Sequence, residues 1–115
     1  MVPCCDKVFF DPTEKLVGTN AEFLRGEYAY IYNSPQGHRN YQQTEVNIYG
    51  KKLYLSYNAQ DRWNFNYDFG KHASYANKFD QVGVCPEDGM KTWEYWNWNE
   101  GRWIADPDIQ LKCVE

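Results

Sequence analysis

Long hydrophobic runs are missing from this chain. No apolar stretch approaches the ~20 residues that a membrane-spanning helix requires, so insertion into a bilayer is not expected. Concentrated positive charge is missing too. Lys and Arg number 12 against 16 Asp and Glu, the formal net charge is −4, and Lys51-Lys52 is the one adjacent basic pair. Nucleic-acid binding draws much of its affinity from Lys and Arg on phosphates, which argues against DNA or RNA as a partner. The sequence has no G-x-S-x-G, no H-E-x-x-H and no phosphate-cradling glycine loop, the signatures of common hydrolases and nucleotide enzymes. It has no C-x-x-C of the kind zinc sites favour and no N-x-[ST] sequon. Met1-Val2-Pro3-Cys4 lacks a basic and an apolar leader region. The reading adopted is a mature secreted sequence with Met1 placed before it; the alternative is a cytosolic chain with free thiols.

Aromatic residues are abundant. Ten Tyr, six Phe and five Trp make 18% of the 115 residues, while aliphatic residues are comparatively scarce. Rings and β-branched side chains suit the pleated, half-buried surface of a sheet, and each ring buries so much area that few are needed for a core. The length allows one domain and not two ordinary ones.

Hydrophobic periodicity supports a sheet. Trp63, Phe65, Tyr67 and Phe69 alternate with Asn64, Asn66 and Asp68, a period of two that marks a half-buried strand. Tyr28, Tyr30 and Tyr32 fall on one face of a strand and Ala29 and Ile31 on the other. Further strands are expected over 39–43, 53–57, 92–96, 102–104 and 109–113, with a short edge segment at 82–85. The turns between them are Asn33–Gly37, Tyr49-Gly50-Lys51, Asn58–Asp61 and Asn97–Gly101. Residues 70–81 read as a long loop carrying His72 and Tyr75, and residues 1–25 as an irregular arm with a possible helical turn at 19–25. Lys52–Trp63 and Lys91–Trp103 echo each other as two hairpins of the form Lys, aromatic strand, Asn-led turn, Arg-Trp. The expected fold is all-β, a small antiparallel sandwich or meander over residues 26–113 with the arm pinned by disulfides.

Four cysteines, Cys4, Cys5, Cys85 and Cys113, form an even set in a short chain, which fits a closed disulfide framework. Adjacent cysteines rarely bond each other because the intervening peptide is strained. Cys4 and Cys5 are therefore expected to reach Cys85 and Cys113, one each, in either order. No metal ligand set stands out: Glu87/Asp88 and Asp106/Asp108 offer carboxylates to Ca²⁺, but without the full ligand spacing of an EF-hand, and no cofactor is expected. His38 and His72 are the only histidines and the natural acid–base candidates for a small hydrolase, although nothing in the sequence brings them together.

Surplus rings point instead to a surface. In Trp93-Glu94-Tyr95-Trp96-Asn97-Trp98, alternation puts Trp93 and Tyr95 on one face and Trp96 and Trp98 on the other, and both faces cannot easily be core in so small a domain. Tyr28, Tyr30, Tyr32, Trp96 and Trp98 are accordingly the candidate ligand contacts, since exposed ring clusters mark interaction sites. The expected function is non-catalytic binding of a glycan, a matrix component or another extracellular protein. A self-associating structural or adhesive protein is the alternative, and a hydrolase using His38 and His72 the second.

Gly26-Glu27-Tyr28, Tyr41, Leu53–Asn58 with Trp63, Cys85-Pro86-Glu87, Trp93–Trp96, Gly101-Arg102-Trp103 and Asp108-Ile109 to Cys113 together form a pattern of aromatics and cysteines. The pattern resembles Tyr/Trp-rich, cysteine-containing β modules of secreted invertebrate extracellular proteins and spans roughly residues 26–113. That resemblance implies extracellular display beside other modules, and it brings no catalytic residues. The Cys4-Cys5 doublet departs from the pattern.

Overall fold

The computed structural model describes residues 4–12, 24–47, 50–67, 76–80, 84–87, 92–97 and 100–114. Nine strands run through them: β1 (Lys7–Asp11), β2 (Gly26–Asn33), β3 (Arg39–Gln43), β4 (Tyr54–Tyr57), β5 (Arg62–Asn66), β6 (Ala76–Phe79), β7 (Trp93–Asn97), β8 (Arg102–Asp106) and β9 (Gln110–Cys113). They form one sheet in the order β8-β7-β6-β5-β4-β3-β2-β1-β9, with every pairing antiparallel. Of the two expected architectures, the fold is the meander.

The sheet is curled, and the rings show how far. In a flat sheet, strands spaced about 4.8 Å apart would put β1 and β5, four positions apart, ~19 Å from each other. Instead the ring of Phe10 on β1 lies 4.5 Å from that of Phe65 on β5 and 5.5 Å from that of Trp93 on β7. The inner face has therefore closed on itself. Val8, Phe10, Tyr28, Tyr41, Leu55, Trp63, Phe65, Ala76, Trp93, Tyr95 and Leu111 fill it, all nearly inaccessible to solvent.

Strand direction explains the closure. Seven antiparallel steps separate β1 from β8, and one separates β1 from β9, so β8 and β9 point the same way. Only Pro107, Asp108 and Ile109 join them. They behave as one strand bent at Asp106-Pro107-Asp108, the first half paired with β7 and the second with β1. The Asp106 carboxylate accepts the Asp108 N–H (3.0 Å) and fixes the bend. Counted this way the wall has eight members, an even number, which is what antiparallel closure requires. An eight-strand wall has an interior that side chains can fill.

Three turns share one construction. At 34–38, 47–51 and 58–62 the first residue's N–H donates to the carbonyl of the fifth, the fourth residue's N–H returns to the carbonyl of the first, and the first side chain's oxygen accepts the N–H of the fifth. The first residue is Ser34, Asn47 or Asn58. The fourth is Gly37 (φ 89°), Gly50 (φ 72°) or Asp61 (φ 60°), in the left-handed region that glycine enters freely and Asp tolerates.

Several expectations need correction. The region 70–81 is not all loop, because Ala76–Phe79 is a strand between β5 and β7. The arm before residue 26 is not wholly irregular, because Lys7–Asp11 is a strand paired on both sides. Val84 and Cys85 are not a strand. The expected helical turn falls mostly outside the described residues, as do Phe69, His72, Tyr75 and Trp98.

Candidate functional site

Alternating strand direction gathers the β2–β3 turn, the β4–β5 turn, the residues leading into β1, the end of β9 and the β6–β7 connection at one end of the barrel. All four cysteines lie there. Cys4 is bonded to Cys85 and Cys5 to Cys113, across 81 and 108 residues, and no cysteine is free. One pairing of the two left open by the sequence is thus selected. Glu87 sits between the bridges: its Oε2 accepts the Cys5 N–H (2.9 Å), and its carboxylate lies within 4.8 Å of the sulfurs of each pair. With all four thiols oxidised, those sulfurs are not thiolate ligands.

A surface pocket of about 360 Å³ opens at this mouth. Strands β2 and β3 supply Tyr30, Asn33 and Arg39, their turn supplies Gly37 and His38, and Cys4 and Val84 close the side next to the disulfide. The register explains why these side chains converge. Tyr30 faces Tyr41, then a bulge inserts Ile31, and Asn33 faces Arg39. Arg39 and Tyr41 are two apart and share the inner side, so Arg39 lies over the mouth.

The Arg39 guanidinium is 4.2 Å from the centre of the Tyr30 ring, a cation–π geometry. Its Nη1 donates to Cys5 O (3.4 Å) and to Asp6 Oδ1 (3.1 Å). Burial alone would lower its pKa, but the bonded Asp6 and the nearby Tyr41 outweigh that and raise it, so Arg39 stays cationic. The Tyr30 hydroxyl donates to Asn33 Oδ1 (2.9 Å). The His38 ring stacks on Tyr57 at 4.2 Å, and the Tyr57 hydroxyl donates to Asp80 O with Asp61 Oδ1 3.3 Å away. Burial pushes the Tyr57 hydroxyl up to about 12, with Asp61 and Asp80 adding to it. The Tyr41 hydroxyl donates to Cys5 O (2.9 Å), tying the mouth to the N-terminal arm, and burial raises it to about 12 against the opposing pull of Arg39.

The expected tyrosine face is therefore split. Tyr28 is a correction: it is fully buried, its hydroxyl donates to Leu24 O (2.8 Å), and its ring packs on Phe65 at 5.0 Å. Tyr30 lines the pocket. Tyr32 is 53% exposed but points outward, because the bulge shifts its partner to Asn40, the outward neighbour of Tyr41. Trp96 lies on the outer face, half-buried, edge-on to Trp103 at 5.6 Å. Trp98 and His72 lie outside the described residues. Asn33 and Arg39 were absent from the expected contacts. The signal for both was their place on either side of the Ser34–His38 turn, which makes them face each other.

The pocket combines one ring under a cation, an amide, an imidazole and a wall held by a disulfide. That arrangement can orient a small polar ligand through hydrogen bonds and ring contact, in the barrel-mouth position common for ligands. Comparison with protein-family models, with curated proteins and with solved structures finds no match to this chain.

Proposed function

We propose that the protein is an extracellular, non-catalytic binding module that holds a saccharide at the barrel mouth between Tyr30, Asn33, His38 and Arg39. The observation that carries the reading is the open pocket at the one end where both disulfides converge, above an interior filled by rings. Two bridges in a chain of this size accord with an oxidising compartment. The volume suits one or two sugar rings, and the flat Tyr30–Arg39 pair beside Asn33 offers the mix of ring face and amide that sugars use. Titration calorimetry against a panel of oligosaccharides tests it. Tyr30→Ala is expected to lower the affinity about tenfold, the equivalent of ~1.4 kcal/mol, with the ligand recovered unchanged. A panel with no binder, or a Tyr30→Ala variant that binds as well as the parent, would overturn it.

One observation favours a second reading, the self-associating structural protein. Trp96 on β7 and Trp103 on β8 pair on the outer face, and Trp103 is 37% exposed. Sedimentation that depends on concentration and is abolished by Trp103→Ala would support that reading over the first.

A further inference from the structure

The pocket's charge points to the kind of saccharide. Among the described residues of its wall none is a carboxylate and two, Arg39 and His38, are nitrogen bases, in a protein whose formal net charge is −4. Local sign therefore opposes global sign. Asp61, Asp80 and Glu87 lie at the same end of the barrel but are not among the wall residues; the Asp61 carboxylate faces the Tyr57 hydroxyl, that of Asp80 accepts the Trp63 Nε1–H, and that of Glu87 accepts the Cys5 N–H.

Arg39 is arranged to change partners. Among the described residues only its Nη1 donates a hydrogen bond, which leaves Nη2 and Nε, the planar fork that matches an oxyanion, for a ligand. The ring of Tyr30 holds the guanidinium plane from one side. Its present carboxylate partner is weakly committed: Asp6 is 82% exposed against 22% for Arg39. An ion pair whose carboxylate is this exposed contributes little, so a better-placed anion can displace Asp6 without breaking anything else. Asn33 adds an amide whose oxygen accepts from Tyr30 and whose NH₂ group has no acceptor among the described residues.

From these placements we infer that the site selects an acidic saccharide, reading the carboxylate or sulfate of a sugar ring with Arg39 and a neighbouring hydroxyl with Asn33. The inference rests on the saccharide reading above and narrows it. Asp6 then serves as an internal stand-in for the ligand's anion and sets a threshold that neutral sugars never have to meet and acidic ones must exceed.

The test is calorimetry of the oxidised protein with three probes of matched length: a hexuronate oligosaccharide, a sulfated oligosaccharide and a neutral one. At least one acidic probe is expected to bind tenfold or more tighter than the neutral probe, and whichever does so identifies the anion. Arg39→Gln should remove that advantage. Asp6→Asn, at a position whose side chain is 82% exposed, should strengthen acidic binding severalfold and leave neutral binding unchanged. That gain of affinity cannot come from a misfolded variant. Neutral binding as tight as acidic binding, lost in Tyr30→Ala but not in Arg39→Gln, would overturn the acidic specificity and leave the saccharide reading standing. So would an Asp6→Asn variant with unchanged acidic affinity. Absence of binding to all three probes would overturn both.

Discussion

Phe65 holds the centre of the molecule. Its ring touches Phe10 from β1, Tyr28 from β2 and Trp93 from β7 at 4.5, 5.0 and 5.3 Å, so it reaches three strands with which β5 never pairs. Removing it leaves a cavity that three aromatic rings can fill only by leaving their own positions. Phe65→Ala should destabilise the fold by about 3–5 kcal/mol, a large part of the roughly 5–15 kcal/mol a domain has. Urea denaturation would show this as a lowered midpoint, and an unchanged midpoint would mean that the ring contacts carry no energy. Lys78 is the contrasting residue. It is 1% exposed, its Nζ donates to Pro86 O at 2.6 Å and lies 5.3 Å from the centre of the Trp93 ring. Nothing in the residue string Ala76-Asn77-Lys78-Phe79 announces a buried ammonium, because lysine is ordinarily solvated. Its burial depends on a carbonyl brought from a later part of the chain.

At the scale of elements, the arm that carries Cys4 and Cys5 also carries β1, which joins β2 to β9 and so closes the wall. The Cys5–Cys113 bridge pins that closure across 108 residues. Replacing both of its cysteines with Ser, with Cys4–Cys85 left intact, should cost about 2–5 kcal/mol, read as a shift in the denaturation midpoint. The same elements show what a sequence can reveal. The turns were legible because Ser or Asn, then Gly or Asp, stand three apart and impose local hydrogen bonds, and β5 was legible because its rings alternate without interruption. β6 was not legible, since a strand whose inner residues are Ala76 and Lys78 shows no hydrophobic period. β1 was hidden because Val8-Phe9-Phe10 is an apolar run without alternation, and the Tyr30/Tyr32 bulge by an even alternation that gives no sign of one. The pocket was half legible: Tyr30 and His38 stand out as chemistry, but Arg39 and Asn33 gain meaning only from the register that sets them opposite each other.

For the molecule as a whole, a radius of gyration of 13.0 Å is that of a compact chain of this length, about 13 Å, and it encloses hydroxyls that resist ionisation. Burial raises the pKa of Tyr28 well above the usual tyrosine range, and those of Tyr41 and Tyr57 to about 12. Below pH ~10 these groups are protonated in both the folded and unfolded chain, and the stability they allow is fully present. Above it the unfolded chain releases protons that the folded one retains, so stability falls as pH rises towards 12. For the fully buried Tyr28 the slope is at most about 1.4 kcal/mol per pH unit; the more exposed Tyr57 contributes less. Tyrosinate absorbance should rise in two steps, the second coinciding with loss of the β-sheet circular dichroism. A single step with the sheet intact would show that these hydroxyls are open to solvent.

The bridge between Cys5 and Cys113 also decides how the domain responds to pulling. Tension arriving just before Cys4 and leaving just after Cys113 would travel through Cys4, Cys5, one sulfur–sulfur bond and Cys113, bypassing all of the nine strands but the last residue of β9. While that bond is oxidised, the barrel can sit in a stretched polymer as an unloaded bead, its mouth keeping its shape under strain, and only a reductant would expose it to the force.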